Sequence, residues 1–199
     1  MQVAAQRGKA IGSRLMDYRL VARPDKDLVQ KISTEVGSFF PCMDQASLQQ
    51  PIPSIEIARF QLREEMEETL LRWLSRIVNA QQAFKVTVNN YGAMPPDNIH
   101  LRILDLLPFI QLGKDLSPVL QFIESGEVGH MQLHQKPHLS FGVKLPEDNF
   151  TQLVTDFAAK TFNGSFQLQQ LILLRKEKNG SCREVSIFGM QPPATQSPS

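Results

Sequence analysis

Side chains able to move a proton near neutral pH are scarce in this chain, which carries only four histidines: His100, His130, His134 and His138. One of them sits in a pattern with chemical content. In KPHLSFGV, Pro137 introduces a strand on which His138 and Ser140 are two residues apart and share a face, while Leu139 and Phe141 turn the other way into a core. An imidazole and a hydroxyl projecting together suit phosphate chemistry, because the first can move a proton and the second can donate a hydrogen bond to a nonbridging oxygen. The plainer reading of His138 is a hydrogen-bonded histidine kept on a strand for packing. No serine-hydrolase elbow, phosphate loop or HExxH motif is present.

His130, His134 and His138 are four apart, a spacing that would line one face of a helix and could hold zinc. Pro137 breaks such a helix, and no nearby Cys or pair of acids completes a ligand set, so no metal and no other cofactor is expected. His100 and Arg102 lie in HLRI, which has the same alternation of His, apolar, polar and apolar residues.

These residues are carried by a chain of 199 residues with 21 Lys plus Arg, 20 Asp plus Glu and 42% hydrophobic content. That is ordinary globular composition at a length for one large domain or two small lobes. The near-zero net charge argues against a protein that coats duplex nucleic acid and leaves room for a small local phosphate site. Cys42 and Cys182 share no motif spacing, so a disulfide framework is not expected and a cytoplasmic location is. Apolar runs are broken by charge or Pro well short of a membrane span. Residues 1–16 read as a loose basic N-terminal arm and residues 190–199 as a mobile tail, leaving residues 17–189 as the ordered domain.

Within it, Asp17 to Arg23 alternates as a strand, and a helix from Asp25 has Leu28, Val29, Ile32, Val36 and Phe39 on one face. A Gln-, Pro- and Ser-rich loop spans 41–53. Ser54 to Leu62 is a strand leading into a helix with Met66, Leu70, Trp73, Leu74 and Ile77 as its buried stripe and Glu64, Glu65, Glu67 and Glu68 on a solvated face. Strands follow at 84–88 and 99–104, separated by the turn-rich YGAMPPDN, and then a helix capped by Ser117 that ends near Gly126. The second half has the strand at 138–143, a helix opened by Pro146 with Phe150, Leu153, Val154, Phe157 and Ala158 on one face, and strands at 166–174 and 184–188.

The halves align. Pro53-Ser54-Ile55-Glu56-Ile57 corresponds to Pro137-His138-Leu139-Ser140-Phe141 at an offset of 84, and each strand precedes a helix and two further strands, which pairs the strand of His100 with the last strand of the chain. With the second copy reading His-Leu-Ser-Phe, the sequence resembles the 2H phosphoesterases, the group that includes 2′-5′ RNA ligase-like proteins and 2′,3′-cyclic nucleotide phosphodiesterases. The resemblance implies an α+β fold of two pseudo-twofold related lobes, with antiparallel sheets around a central groove and helices outside. One motif from each lobe would supply a general acid and a general base to a phosphodiester.

On that reading His138 and Ser140 form the second motif, and the first, on strand 54–60, is degenerate, with Ser54 in place of His and Glu56 in place of Thr or Ser. A serine hydroxyl does not replace imidazole as an acid or base near neutral pH. A carboxylate aimed at a phosphate repels it unless it is protonated, paired with Arg or bridged by metal. Glu56 could stand in as a base, His100 and Arg102 could reach the groove, and His130 and His134 would border it. Two functions follow: a 2H phosphoesterase acting on an RNA or nucleotide phosphodiester, or a noncatalytic nucleotide-binding or interaction module on the same scaffold. A monomer without membrane association is expected.

Overall fold

A computed structural model of the chain describes residues 14–39, 52–95, 98–125, 129–141 and 150–193. The bulk of the expected N-terminal arm, Cys42 and its loop, Pro146 with its helix opening, the end of the 138–143 strand, Gly126, the last six residues and the side chains of Val36 and Phe39 lie outside the described residues.

Strand β1 (Leu15–Ala22) starts two residues before the alternation suggests. Helix α1 (Lys26–Phe39) is opened by Asp25, whose carboxylate accepts the Leu28 amide hydrogen at 2.9 Å, a cap on an otherwise unpaired donor. Strand β2 (Ser54–Arg63) runs into a single 3₁₀ turn at Glu64–Met66 before helix α2 (Glu67–Val78). That turn shifts the buried stripe to Leu70, Leu74 and Val78, and leaves Trp73 37% exposed rather than in the core. It also draws Glu67 out of the solvated face: its carboxylate accepts from Tyr18 Oη at 2.7 Å and from Arg175 at 3.1 Å.

Strand β3 (Phe84–Met94) continues through what reads as a turn, because Asn90 takes a left-handed φ of 53° and absorbs a bulge between Asn89 and Tyr91. Strand β4 (Asn98–Ile103) precedes helix α3 (Leu107–Asp115), which the sequence pattern does not announce, and α4 (Ser117–Glu124). Leu116, not Ser117, caps α4, since the chain passes from α3 to α4 through that one residue. Strands β5 (Met131–Leu133) and β6 (His138–Ser140), helix α5 (Phe150–Ala158) and strands β7 (Asn163–Leu168), β8 (Gln170–Lys176) and β9 (Cys182–Gly189) complete the order. The expected single strand 166–174 is thus two, and they lie in different halves of the sheet, with the crossing at Gln169. Met190 and Gln191 are tied down: Met190 donates to the Gln169 carbonyl, and Gln191 donates to Gln81 and accepts from Ala83 through backbone groups at 2.7 Å each.

Among the described residues the strands form one nine-stranded sheet in the order β7-β3-β4-β6-β2-β1-β8-β9, with β5 also on β2. The named strand pairs are antiparallel, and the two halves meet where Ser54 opposes Ser140 and Ile55 opposes Leu139. Strand β4 flanks β6 as β1 flanks β2, so the counterpart of the His100 strand is β1 and not the edge strand β9. Counting strands along the sequence gives the wrong pairing because β7 leaves its own half. One face of the sheet buries Ile55, Leu101 and Leu139 completely, in a core shared with Leu70 and Leu74 of α2, Leu112 of α3, Val119 and Ile123 of α4 and Phe157 of α5. The described helices pack on this face, and the opposite face carries the polar residues Ser54, Glu56, His138 and Ser140.

Candidate functional site

Residues directly opposite each other on neighbouring strands share a face. Across β2, β6 and β4, Ser54 opposes Ser140 and Ser140 opposes His100, while one step along Ile55, Leu139 and Leu101 form the parallel row that points into the core. Arg102 opposes His138. The opposite face thus brings together Ser54, Ser140, His138, His100 and Arg102, and Glu56 lies two residues beyond Ser54 on the same side, close enough for its charge to act on His138. The offset of 84 and the antiparallel register agree: a local twofold axis passes between Ile55 and Leu139, relating Ser54 to His138 and Glu56 to Ser140.

The His100 and His138 rings touch, with centroids 4.3 Å apart and planes inclined by 47°. His100 fits there because Gly92 opposes it on β3. A Cβ at Gly92 would stand 2.6 Å from His100 Nε2, so the ring occupies the space that a side chain would fill. His100 is only 9% exposed, and its Nδ1 is buried without a hydrogen-bond partner among the described residues. Burial first, then the charges of His138 and Arg102, lower its pKa to about 4. His138 is also lowered, chiefly by burial and further by His134, although a hydrogen bond to the Lys136 backbone and the charge of Glu56 oppose the shift.

Glu56 is not a free carboxylate facing the groove. His134 Nε2 lies 2.8 Å from its Oε1, and Arg59 donates to both oxygens, at 3.1 Å from Nε and 3.3 Å from a terminal nitrogen. Arg19 Nε is 2.8 Å from Oε2 but badly aligned, which makes that contact an ion pair and not a hydrogen bond. Burial raises the Glu56 pKa, but the hydrogen bonds from His134 and Arg59 and the charges of Arg19 and Arg59 outweigh it and hold the group at about 2. A β-bulge makes the pairing possible. Leu20 opposes Ala58 and Val21 opposes Glu56, so Ile57 is an extra residue on β2. Residues three apart on a regular strand face opposite ways; the bulge turns Glu56 and Arg59 to the same side.

The sequence-derived residues Ser54, Glu56, His100, Arg102, His134, His138 and Ser140 are all placed on or beside this face. His130 is not: it is exposed, with Glu124 at 3.9 Å as its ion-pair partner. Arg19, Arg59 and Gly92 are members of the site that sequence reasoning misses. Arg19 has a readable signal, since Asp17, Arg19 and Val21 alternate away from the buried Tyr18 and Leu20, whereas the bulge that aims Arg59 leaves no mark in the sequence.

No protein-family model matches the sequence, and no curated protein matches it. Solved structures do resemble the fold. Escherichia coli LigT complexed with 3′-AMP superposes with a TM-score of 0.62 at 17% identity, covering 89% of this chain and 99% of that one. A crystal structure described as a phosphoesterase gives 0.61 at 15% identity with the same coverage, and TT0787 of Thermus thermophilus gives 0.57 at 15% identity, covering 87% of this chain and 98% of that one. Among the described residues no helix is long and apolar enough to cross a membrane. The chain therefore shares the fold of LigT and of these phosphoesterase structures.

Proposed function

We propose that the groove binds the phosphate of a nucleotide or RNA end, in a 2′,3′-cyclic or 2′,5′-linked phosphodiester, at His138 and Ser140, and that it does so without efficient turnover. The observation that carries this reading is the row formed by Ser54, Ser140 and His100 beside His138 and Arg102, a cluster of hydrogen-bonding groups and one cation on one face of the sheet. LigT has been crystallised with 3′-AMP and with phosphate, which supports a phosphate-bearing ligand for the same fold.

Turnover of a phosphodiester needs two proton carriers on opposite sides of the phosphorus, because the entering and leaving oxygens are roughly in line. Ser54 stands where the first-lobe histidine is expected and cannot fill that role near neutral pH. Glu56, held at about 2, is almost never protonated at pH 7 and is too weak a base to take its place. His100 is the right chemical type, but its ring lies against that of His138, on an adjacent strand, so the two sit on the same side of any phosphate bound there. Removing one partner of such a pair typically costs about 10²- to 10⁴-fold in rate.

Calorimetric titration with 3′-AMP, together with hydrolysis assays on 2′,3′-cyclic AMP, tests the proposal. Binding to the wild type that is lost in His138→Ala, with hydrolysis at the background rate, is the expected result. Failure to bind 3′-AMP removes the phosphate site. Hydrolysis well above background that disappears in His138→Ala restores the enzyme reading, with His100 as the second proton carrier.

A further inference from the structure

Three cationic or donor side chains from three strands or strand ends converge on one carboxylate: Arg19 from β1, Arg59 from β2 and His134 just beyond β5 all meet Glu56. That arrangement is what a protein builds around a bound oxyanion, with a forked guanidinium on two oxygens and further donors on the flanks. The carboxylate does not use the site fully. Arg19 Nε is buried and lies close to Glu56 Oε2, yet its N–H finds no hydrogen-bond acceptor among the described residues. A cavity of about 210 Å³ opens directly beside the clamp, and Arg19, Arg59 and Lys176 line it together with Asp17, Tyr18 and Cys182. The one acid in that wall, Asp17, is engaged by Gln61, which donates to it at 2.7 Å.

From this geometry we infer that Arg19, Arg59 and Lys176 form a second oxyanion subsite, suited to a phosphate group, and that Glu56 occupies it with its own carboxylate. The subsite lies on the first-lobe side of the groove, apart from His138 and Ser140. An incoming phosphate enters through the cavity, takes the misaligned Arg19 N–H and competes with Glu56 for Arg59. With Glu56 in place one of the two arginine charges is offset and Arg59 is already engaged, so the subsite holds phosphate poorly; a neutral residue at position 56 unmasks it. The inference stands on the Glu56 clamp and the cavity and does not require the His138 site to bind anything.

The experiment compares binding of inorganic phosphate, by calorimetry and by the ring resonances of His134, in the wild type, Glu56→Gln, Glu56→Gln/Arg59→Ala and Glu56→Gln/His138→Ala. The expected result is at least about tenfold tighter binding in Glu56→Gln, from loss of one negative charge within a few ångströms of the anion. That gain moves the His134 resonances, survives His138→Ala and is abolished by Arg59→Ala. Should Glu56→Gln fail to fold, Glu56→Ser carries the same expectation. Equal phosphate affinity in the folded variant and the wild type would reduce the cluster to a structural ion-pair network and overturn the inference. A gain that vanishes with His138→Ala would also overturn it, because the extra affinity would then belong to the His138 site. Failure of the His138 reading shows separately, as 3′-AMP binding that is indifferent to His138→Ala.

Discussion

The buried His100 makes the fold acid-sensitive below neutral pH. Its pKa falls from 6.5 to about 4 because burial, His138 and Arg102 all disfavour the imidazolium. The unfolded chain therefore takes up a proton at a pH where the folded chain does not, and stability is complete above about 6.5 and is lost as the pH falls toward 4. Between those two values, at pH 5, the difference in proton uptake amounts to about 2 kcal/mol, against about 0.2 kcal/mol at pH 7. His138, lowered in the same direction, adds to this loss. For a domain of this size that corresponds to a fall of roughly 4 to 8 °C in the thermal midpoint. Denaturant unfolding at pH 7 and pH 5 measures it, with His100→Gln as the control that cannot titrate. The wild type is expected to lose about 2 kcal/mol more than the variant over this interval. Equal losses, or an imidazole Cε1 resonance of His100 that titrates near 6.5, would refute the argument that the Gly92 pocket keeps the ring dry and neutral.

Contacts around the groove give two more expectations. Gly92→Ala places a Cβ 2.6 Å from His100 Nε2, so the ring must shift in its pocket; a loss of about 1 to 3 kcal/mol and a shifted His100 resonance are expected, and a wild-type melting curve would contradict the close packing. Tyr18→Phe removes the 2.7 Å hydrogen bond to Glu67 but leaves that carboxylate paired with Arg175 and keeps the ring stacked on Phe60, so a loss of about 1 to 2 kcal/mol in chemical denaturation is expected, well short of the effect of an unpaired buried charge.

Much of the fold is legible in the sequence because its signals are local. The alternation in Ser54–Leu62, the Asp25 cap and the apolar stripes of α1 and α5 are properties of neighbouring residues, and the strands and helices they announce are present. What fails depends on partners distant in sequence. Nothing in residues 166–174 announces that one strand pairs with β3 and the next with β1, since the choice is made by the edges available in the folded sheet. Asn90 can be read as a site of left-handed backbone, but only its place opposite β4 and β7 turns it into a bulge inside a strand rather than the start of a turn. The stripe of α2 is rotated by part of a turn because the helix begins after a 3₁₀ segment, a detail that the four acids of its first turns do not encode.

The candidate site divides in the same way. The face-sharing of His138 and Ser140, and of Ser54 and Glu56, follows from a period of two and can be read without coordinates. The meaning of Glu56 cannot. As a lone carboxylate in a phosphate groove it would oppose binding, and as an unpaired group it could be a base; the bulge at Ile57 settles its environment by bringing Arg59 to the same side, where Arg19 and His134 already point. A single extra residue on one strand thus converts a repulsive charge into a neutralised one and removes it from proton transfer at the same time. The pairing has a thermodynamic signature of its own: a carboxyl lowered from 4.5 to about 2 contributes stability above pH 4.5 that is lost as the pH falls toward 2, a window that begins where that of His100 ends. Acid unfolding of this chain therefore has two origins that are separable by pH. The upper belongs to the histidine that fills the space over Gly92, and the lower to the carboxylate that fills the place of an anion.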